Sequence, residues 1–156
     1  MFKPNQPSPE EHAQLMQTLG RLPIEGPAWP TWIKILAWLL LIVIGIQFAL
    51  TAAGPHGRDV SPYVAGSVTL CFAALIVMAR TMTVSRTRIT EEGIEQNWLG
   101  RRQVKWDDIN FVKFIPLIAS KKLVCFMHQG RPVIFQGGTK ELQAAFAHIS
   151  LVYRRR

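Results

Sequence analysis

The chain has 156 residues, 49% of them hydrophobic, and carries a formal net charge of +8 at pH 7. All of this excess lies in residues 80–156, which hold fourteen basic and six acidic side chains, whereas residues 1–79 hold four of each. Such a basic segment suits anionic lipid or nucleic acid, but no helix-turn-helix, zinc-finger or aromatic RNA-binding signature accompanies it. We therefore expect membrane lipids, and no nucleic acid, as partners.

The first 32 residues predict a short helix followed by a linker. Residues 1–8 are polar and rich in proline, which predicts disorder. Ser8 precedes a proline and is followed three residues later by Glu11, the pattern of a capped helix start. The helix is predicted over residues 9–19, with Gly20 as its stop. Three further prolines then predict an extended linker up to residue 32.

Two long apolar runs follow the linker. Ile35–Ala53 has nineteen residues and Val60–Ala79 has twenty, and neither run contains a charged side chain. As a helix, each run spans roughly the ~30 Å hydrocarbon core of a bilayer. The connection between them has only six residues, so residues 33–80 are predicted to form a transmembrane helical hairpin. The absence of charge within the runs argues against an ion or proton pathway.

Small residues offer a packing surface for this hairpin, because they allow helices to approach closely in lipid. The first run contributes Gly45, and the second contributes a stripe made of Ala65, Gly66, Thr69 and Ala73. We expect the two runs to pack on each other through these residues. A partner subunit that uses the same stripe is the alternative.

Basic side chains near the ends of the runs predict the orientation. Arg21 and Lys34 precede the first run, three arginines follow the second, and the connection has only Arg58, offset by Asp59. By the positive-inside rule, both termini face the cytoplasm. A cleaved signal peptide is not favoured, because more than thirty residues precede the first run. The pattern is that of a multi-pass membrane protein.

After the second run the pattern changes to that of a small α+β domain. Short strands are predicted over residues 81–90, 93–99, 103–106, 109–117, 122–128 and 132–136. Thr139 is expected to cap a final helix, in which apolar residues recur every three or four positions as far as Tyr153. About six strands in an antiparallel curved sheet, capped by a C-terminal helix, make the architecture of the pleckstrin-homology (PH) superfold.

Two short motifs in residues 81–156 resemble a known family. The run Ile89–Ile94 (ITEEGI) and the later run Val104–Ile109 (VKWDDI), followed by Val112, resemble bacterial PH-like domains that come after one or two membrane spans. The resemblance covers residues 81–153 and implies a PH-like domain on the bacterial inner membrane. Proteins of this kind act as membrane-bound adaptors or assembly factors, so the resemblance implies a similar role here.

Four residues of the domain are assigned structural roles. Gly93 is expected to adopt a positive φ in the turn that the two preceding glutamates begin. Trp106 and Ile109 bracket two acidic residues that bond local backbone and start the next strand. Phe146 is expected to close the final helix onto the sheet, because it lies in the centre of the apolar stripe.

Candidate contacts for lipid headgroups or for a partner are the five basic residues Arg86, Arg88, Arg101, Arg102 and Lys105. Arg101 and Arg102 are predicted at a hairpin tip, and Arg86 and Arg88 just past the second apolar run. Phosphoinositide-binding members of the superfold carry a Lys-x(n)-Lys/Arg-x-Arg pattern across the first hairpin, and this chain departs from it. Diffuse contact with anionic lipid is therefore favoured over recognition of a specific phosphoinositide.

No group of residues predicts catalysis, a cofactor, a metal site or a small-molecule substrate. The four histidines lie in separate segments without ligand spacing, and no nucleophile elbow, P-loop or Cys-x-x-Cys is present. Asp107-Asp108 suits a turn better than acid–base chemistry, and Gly137-Gly138 suits a turn of left-handed glycines better than an anion site. Cys71 and Cys125 have no predicted partner, which fits a reducing compartment.

These features together predict a non-enzymatic, PH-like adaptor or scaffold, anchored in the inner membrane and bound to a membrane protein complex. One alternative is a membrane domain that binds anionic lipid through its basic residues. The other is a small accessory or assembly subunit of a transport or respiratory complex, with the hairpin as its main interface. The predicted organisation is an N-terminal segment (1–32), a transmembrane hairpin (33–80) and a cytoplasmic domain (81–156).

Overall fold

A computed structural model of the chain describes residues 6–155. The helices are α1 (Pro9–Leu19), α2 (Thr31–Ala53), α3 (Pro62–Val84) and α4 (Lys140–Val152), with short 3-10 turns at Pro55–Asp59 and Trp106–Asp108. The strands are β1 (Ile24–Pro27), β2 (Arg86–Ile89), β3 (Gly93–Asn97), β4 (Arg101–Lys105), β5 (Ile109–Pro116), β6 (Lys121–Met127) and β7 (Val133–Gly137). Contacts divide the chain into two compact units. Thr31–Thr83 forms one, and the described residues up to Pro30 join those from Val84 onward in the other, called here the sheet domain.

Helices α2 and α3 are long and apolar enough to cross a membrane, judged by length and composition. The structure confirms two helices in the predicted places, but α3 continues to Val84, where a strand was predicted from residue 81. In this extension the hydroxyls of Thr81 and Thr83 donate back to the carbonyls of Met78 and Ala79, so both polar side chains are satisfied within the helix.

The packing between α2 and α3 differs from the prediction. The ring of Phe72 lies against Gly45 and stacks on Phe48 with centroids 6.4 Å apart. The predicted stripe of Ala65, Gly66, Thr69 and Ala73 is exposed, and nothing lies within 4 Å of a Cβ built on Gly66. Gly45 therefore lies in the contact as predicted, whereas the predicted stripe on α3 does not, and the ring of Phe72 makes the contact from that helix.

The sheet domain contains seven strands in two antiparallel sheets, β1-β2-β3-β4 and β5-β6-β7. Strand β1 comes from the segment predicted to be a linker, and it pairs with β2 from Ile24↔Ile89 to Pro27↔Arg86. The pair of apolar helices is therefore inserted between the first two strands of one sheet. Pro27 is tolerated because β1 is an edge strand.

Helix α4 covers the core of the sheet domain, with Leu142, Ala145, Phe146 and Ile149 buried. The capping of α4 by Thr139 is confirmed, since its side chain accepts a hydrogen bond from the amide of Leu142 at 3.3 Å. Ile109 and Trp106 also belong to this core. Because Phe146 is completely buried, its ring forms part of the seal between helix and sheet.

Helix α1 packs on the sheet domain. The predicted capping box is confirmed: Ser8 and Glu11 exchange hydrogen bonds, and Gly20 ends the helix with φ of +75°. Leu15 is 1% exposed and belongs to the core. Gln6 belongs to the segment predicted to be disordered, but its side chain donates a hydrogen bond to the carbonyl of Asp107 at 2.7 Å. Residues 1–5 of that segment lie outside the described residues.

Two predictions about glycine turns were wrong. Gly93 does not have a positive φ, and it is instead needed because an added Cβ would meet the carbonyl oxygen of Val104 in the paired strand. Gly137 and Gly138 also lack a positive φ. Gly138 passes so close to the backbone of Trp29 that a side chain has no room. Close approach of another backbone segment explains Gly93 and Gly138, whereas Gly137 leaves room for the side chains of Phe146 and Leu142.

Candidate functional site

One end of the first sheet joins the sheet domain to the apolar helices. Pro27, Arg86, Asn97 and Arg101 lie side by side in one row across its four strands. The chain continues from β1 into α2, and it returns from α3 into β2. We call the end of the sheets that contains this row the junction end.

The second sheet contributes a loop to the same end. The amide of Gly138 donates to the carbonyl of Pro27 at 2.9 Å, and the adjacent Gly137 pairs with Lys121 at the start of β6. The β5–β6 loop, residues 117–120, begins beside this pair because Lys121 also pairs with Pro116. Its tip carries Ile118, which is 100% exposed.

The turn between β3 and β4, residues 98–100, lies at the junction end as well. Trp98 packs edge-on against Trp29, with ring centroids 5.5 Å apart. The guanidinium of Arg102 lies 5.8 Å from the centre of the Trp98 ring. Both indole Nε1 atoms are buried without a hydrogen-bond partner among the described residues. Leu99 is exposed and has φ of +50°.

The hairpin tip lies two residues earlier in the chain than predicted. Arg101 and Arg102 are already the first residues of β4, and the turn consists of Trp98, Leu99 and Gly100. Gly100 has φ of +128°, a conformation that favours glycine. The tip is therefore aromatic and apolar, and the arginines stand directly behind it.

The outward face of the first sheet is mixed in charge. Arg86 pairs with Glu25 at 3.2 Å and Arg101 with Glu95 at 3.5 Å. Arg88 lies between the same two glutamates, since it is their register partner on both sides. Exposed ion pairs of this kind add little stability. Because glutamates alternate with the arginines across the strands, the predicted basic contacts do not form a uniformly basic surface.

Lys105 does not join the four arginines. It ends β4 at the opposite end of the sheet, where it lines a shallow depression together with His12, Glu91, Glu92, Trp106 and Asp107. Because a strand rises ~3.3 Å per residue, Lys105 lies more than 10 Å along β4 from Arg101. The predicted set of five basic contacts therefore separates into two places.

The opposite end of the domain is held together by backbone bonds. The amide of Trp106 donates to the carbonyl of Glu92 at 3.2 Å, and the amide of His128 donates to the backbone carbonyl of Asp108 at 3.0 Å. Four acidic side chains lie on these segments, Glu91, Glu92, Asp107 and Asp108. The domain thus carries exposed acidic groups at the end remote from its connections to α2 and α3.

An aromatic cluster docks α1 at this end. The rings of Trp106 and Tyr153 stack with centroids 5.6 Å apart, and the Trp106 Nε1 donates to the carbonyl of Thr90 at 3.1 Å. A hydrogen bond joins the Tyr153 hydroxyl to His12 Nδ1 at 2.9 Å. Burial lowers the pKa of His12, opposed by the charge of Asp107, and burial raises the pKa of Tyr153. Both groups are therefore held neutral at pH 7.

The other candidate groups are the Cys125 thiol, possible metal ligands and the glycine pair before α4. Burial raises the pKa of the Cys125 thiol to about 12, so the thiolate that would react is absent at neutral pH. Within residues 6–155, no group of three or more histidine, cysteine or acidic side chains is placed to hold a metal ion. The amide of Gly138 already donates to Pro27 and is not available to an anion.

Comparisons with protein-family models, with curated proteins and with solved structures gave no match. Sequence reasoning had not singled out the β5–β6 loop with Ile118 or the strand β1. For the loop, a signal was present in the two adjacent apolar residues Leu117 and Ile118 at the end of a predicted strand.

Proposed function

We propose that this protein is a non-enzymatic, PH-like adaptor of a bacterial inner membrane, anchored by α2 and α3 and bound to another membrane protein or complex. The PH-like assignment is supported by sheets of four and three antiparallel strands followed by a C-terminal helix. Its location is supported by two helices of sufficient length and apolarity. The observation that carries the proposal is the insertion of these helices between β1 and β2.

This insertion ties the domain to its anchor twice. A domain attached through one flexible linker samples a wide volume, whereas here one connection enters α2 within a few residues of Pro27 and the other returns from α3 just before Arg86. Such a domain stays at the membrane surface. This arrangement suits a protein that presents a fixed surface to a partner in the same membrane.

The distribution of charge favours a protein partner at the end opposite the junction. Glu91 and Glu92 are exposed there beside the depression that Lys105 and Trp106 line. Electrostatic complementarity steers association and selects partners, so we expect the partner to present basic side chains. Anionic lipid would be repelled from this end, which makes contact with headgroups a supplementary role of the junction end.

The alternative of a small accessory or assembly subunit is favoured by a different observation. The outward stripe of Ala65, Gly66, Thr69 and Ala73 on α3 is exposed, and small residues are typical of helix interfaces in lipid. In that case the partner would bind the helices, and the sheet domain would be secondary.

Affinity capture of the full-length chain after cross-linking in its own membrane tests the proposal. We expect Glu91→Lys to reduce recovery of the captured membrane protein at least about tenfold, since like charges at an interface cost about 1.4 kcal/mol or more. Glu141→Lys is the matched control, because it makes the same charge change at an exposed position near the start of α4. Unchanged recovery of the captured protein with Glu91→Lys would contradict the adaptor proposal. So would equal recovery by residues 31–83 alone and by the full-length chain, which would favour the helices as the interface.

A further inference from the structure

We propose that two loops of the junction end, residues 98–100 and 117–120, insert apolar side chains into the interfacial layer of an anionic bilayer. The inference rests on the proposed membrane anchoring and goes beyond it, because it assigns a second, loop-mediated attachment to the sheet domain. It also identifies the end of the domain that lipid covers.

Exposed apolar side chains are unevenly distributed over the sheet domain. Among its described residues, the large hydrophobic side chains that are exposed are Val84, Leu99, Leu117, Ile118, Ile134 and Leu151. Four of these six belong to the junction end. Ile118 is 100% exposed at the tip of its loop, and Leu99 is 59% exposed at the tip of its turn. A single exposed leucine is ordinary on a protein surface, whereas four large apolar side chains at one end are a concentration that needs a cause.

The loops at the opposite end have a different composition. The β2–β3 turn contains Glu91 and Glu92, and the β6–β7 turn contains Gln129, Gly130 and Arg131. These turn residues are exposed, as Leu99 and Ile118 are at the junction end. The contrast between apolar and polar tips therefore marks the two ends for different surroundings.

Basic side chains stand directly behind both apolar tips. Arg101 and Arg102 follow the first turn, and Lys121 and Lys122 follow the second loop. Apolar groups at a tip with lysine and arginine behind them match the layering of an anionic bilayer, in which acyl chains lie beneath charged headgroups. Arg101 is paired with Glu95, so Arg102 and the two lysines supply the uncompensated charge.

The tryptophans of the junction end fit the same surroundings. Trp29 lies between β1 and α2, at the place where the chain enters the first apolar helix, and it packs on Trp98. Tryptophan is enriched at the membrane–water interface. In this pair both Nε1 atoms are buried, so the rings support the turn from behind and do not themselves meet the headgroups. The occupant of this end is therefore lipid, because the chain itself passes into the proposed bilayer within a few residues.

The test uses the full-length chain in vesicles of equimolar phosphatidylglycerol and phosphatidylcholine. A cysteine labelled with an environment-sensitive fluorophore is placed at Ile118→Cys, in a Cys71→Ser background that retains the buried Cys125. Gln129→Cys, exposed at the opposite end, is the aqueous control. Leu70→Cys, exposed within α3, reports whether that helix crosses the bilayer.

We expect the label at position 118 to show a blue-shifted emission and quenching by lipids spin-labelled near the headgroup. The label at 70 should be quenched by deep spin labels and that at 129 by neither. If 70 is deep but 118 behaves like 129, the loop insertion is wrong while the anchoring stands. If 118 is shielded from water yet unquenched by lipid, a protein covers this end and the inference fails. If 70 behaves like 129, the anchoring fails and the inference with it.

Discussion

Replacing Phe146 by alanine is expected to destabilise the sheet domain strongly and to make it sensitive to protease. The side chain is completely buried, and its ring packs so closely over Gly137 of β7 that a Cβ there would lie 2.9 Å from Phe146 Cε2. Removing a buried phenyl ring costs about 3–5 kcal/mol, and a domain of this kind has a free energy of unfolding of about 5–15 kcal/mol in total. For a domain at the lower end of this range, the substitution removes most of the free energy of unfolding.

Limited proteolysis of the full-length chain in detergent measures this effect, with cleavage followed between residues 84 and 155. Lys140→Ala is the matched control, because Lys140 is exposed in the first turn of the same helix, where substitutions usually change stability by less than about 0.5 kcal/mol. Equal protease resistance of the two variants would mean that α4 is peripheral to the core.

The largest effect is expected when β1 and α1 are removed. Residues 84–156 alone would lack Leu15, whose burial is worth about 2–5 kcal/mol by analogy with leucine truncations, and would leave β2 without its outer partner. Leu15 and the β1 pairing both lie before α2 in the chain. We therefore expect this fragment to lack a cooperative unfolding transition.

A shortened chain in which a glycine-serine loop replaces residues 31–83 is expected to fold and to be soluble in water. The ends to be joined are close together, since the amide of Ala28 donates to the carbonyl of Ser85 at 3.1 Å. Thermal melting followed by circular dichroism distinguishes the two proteins. A fragment of residues 84–156 that melts as cooperatively as the shortened chain would show that β1 and α1 are dispensable.

Local signals in the sequence were sufficient for most elements. The capping box at Ser8 and Glu11 predicted α1, and the spacing of apolar residues after Thr139 predicted α4; both agree with the structure. These features act within one or two helical turns, so a short stretch of sequence contains the whole cause. The two apolar helices were predicted for the same reason.

Features that depend on distant pairing were missed. Strand β1 contains Gly26 and Pro27, two residues that discourage a strand, and it forms because β2 offers an unpaired edge some sixty residues later. The pairing of Arg86 with Glu25 follows from the same contact. Pro27 of β1 also accepts the hydrogen bond from the amide of Gly138 that links the two sheets. Without β1, the sequence did not indicate that Arg101 and the β5–β6 loop share one end.

The inserted helices also constrain topology without reference to charge. Because β1 precedes α2 and pairs with β2 after α3, the residues before the first helix and after the second must lie in one compartment. Two membrane crossings satisfy this requirement, whereas a single crossing by either helix would separate the paired strands. The strand pairing requires one shared compartment without indicating which one, and the positive-inside rule predicts that this compartment is the cytoplasm.

Reporter fusions in a bacterial membrane test this central claim most directly. We expect a reporter active only in the cytoplasm to function at the N-terminus and at the C-terminus, and to be inactive when inserted at Gly57 in the turn between α2 and α3. A reporter active only outside the cytoplasm should give the reverse pattern. If the N-terminal and C-terminal reporters were active in opposite compartments, β1 and β2 could not pair, and a sheet domain formed from both sides of the α2–α3 segment would be contradicted.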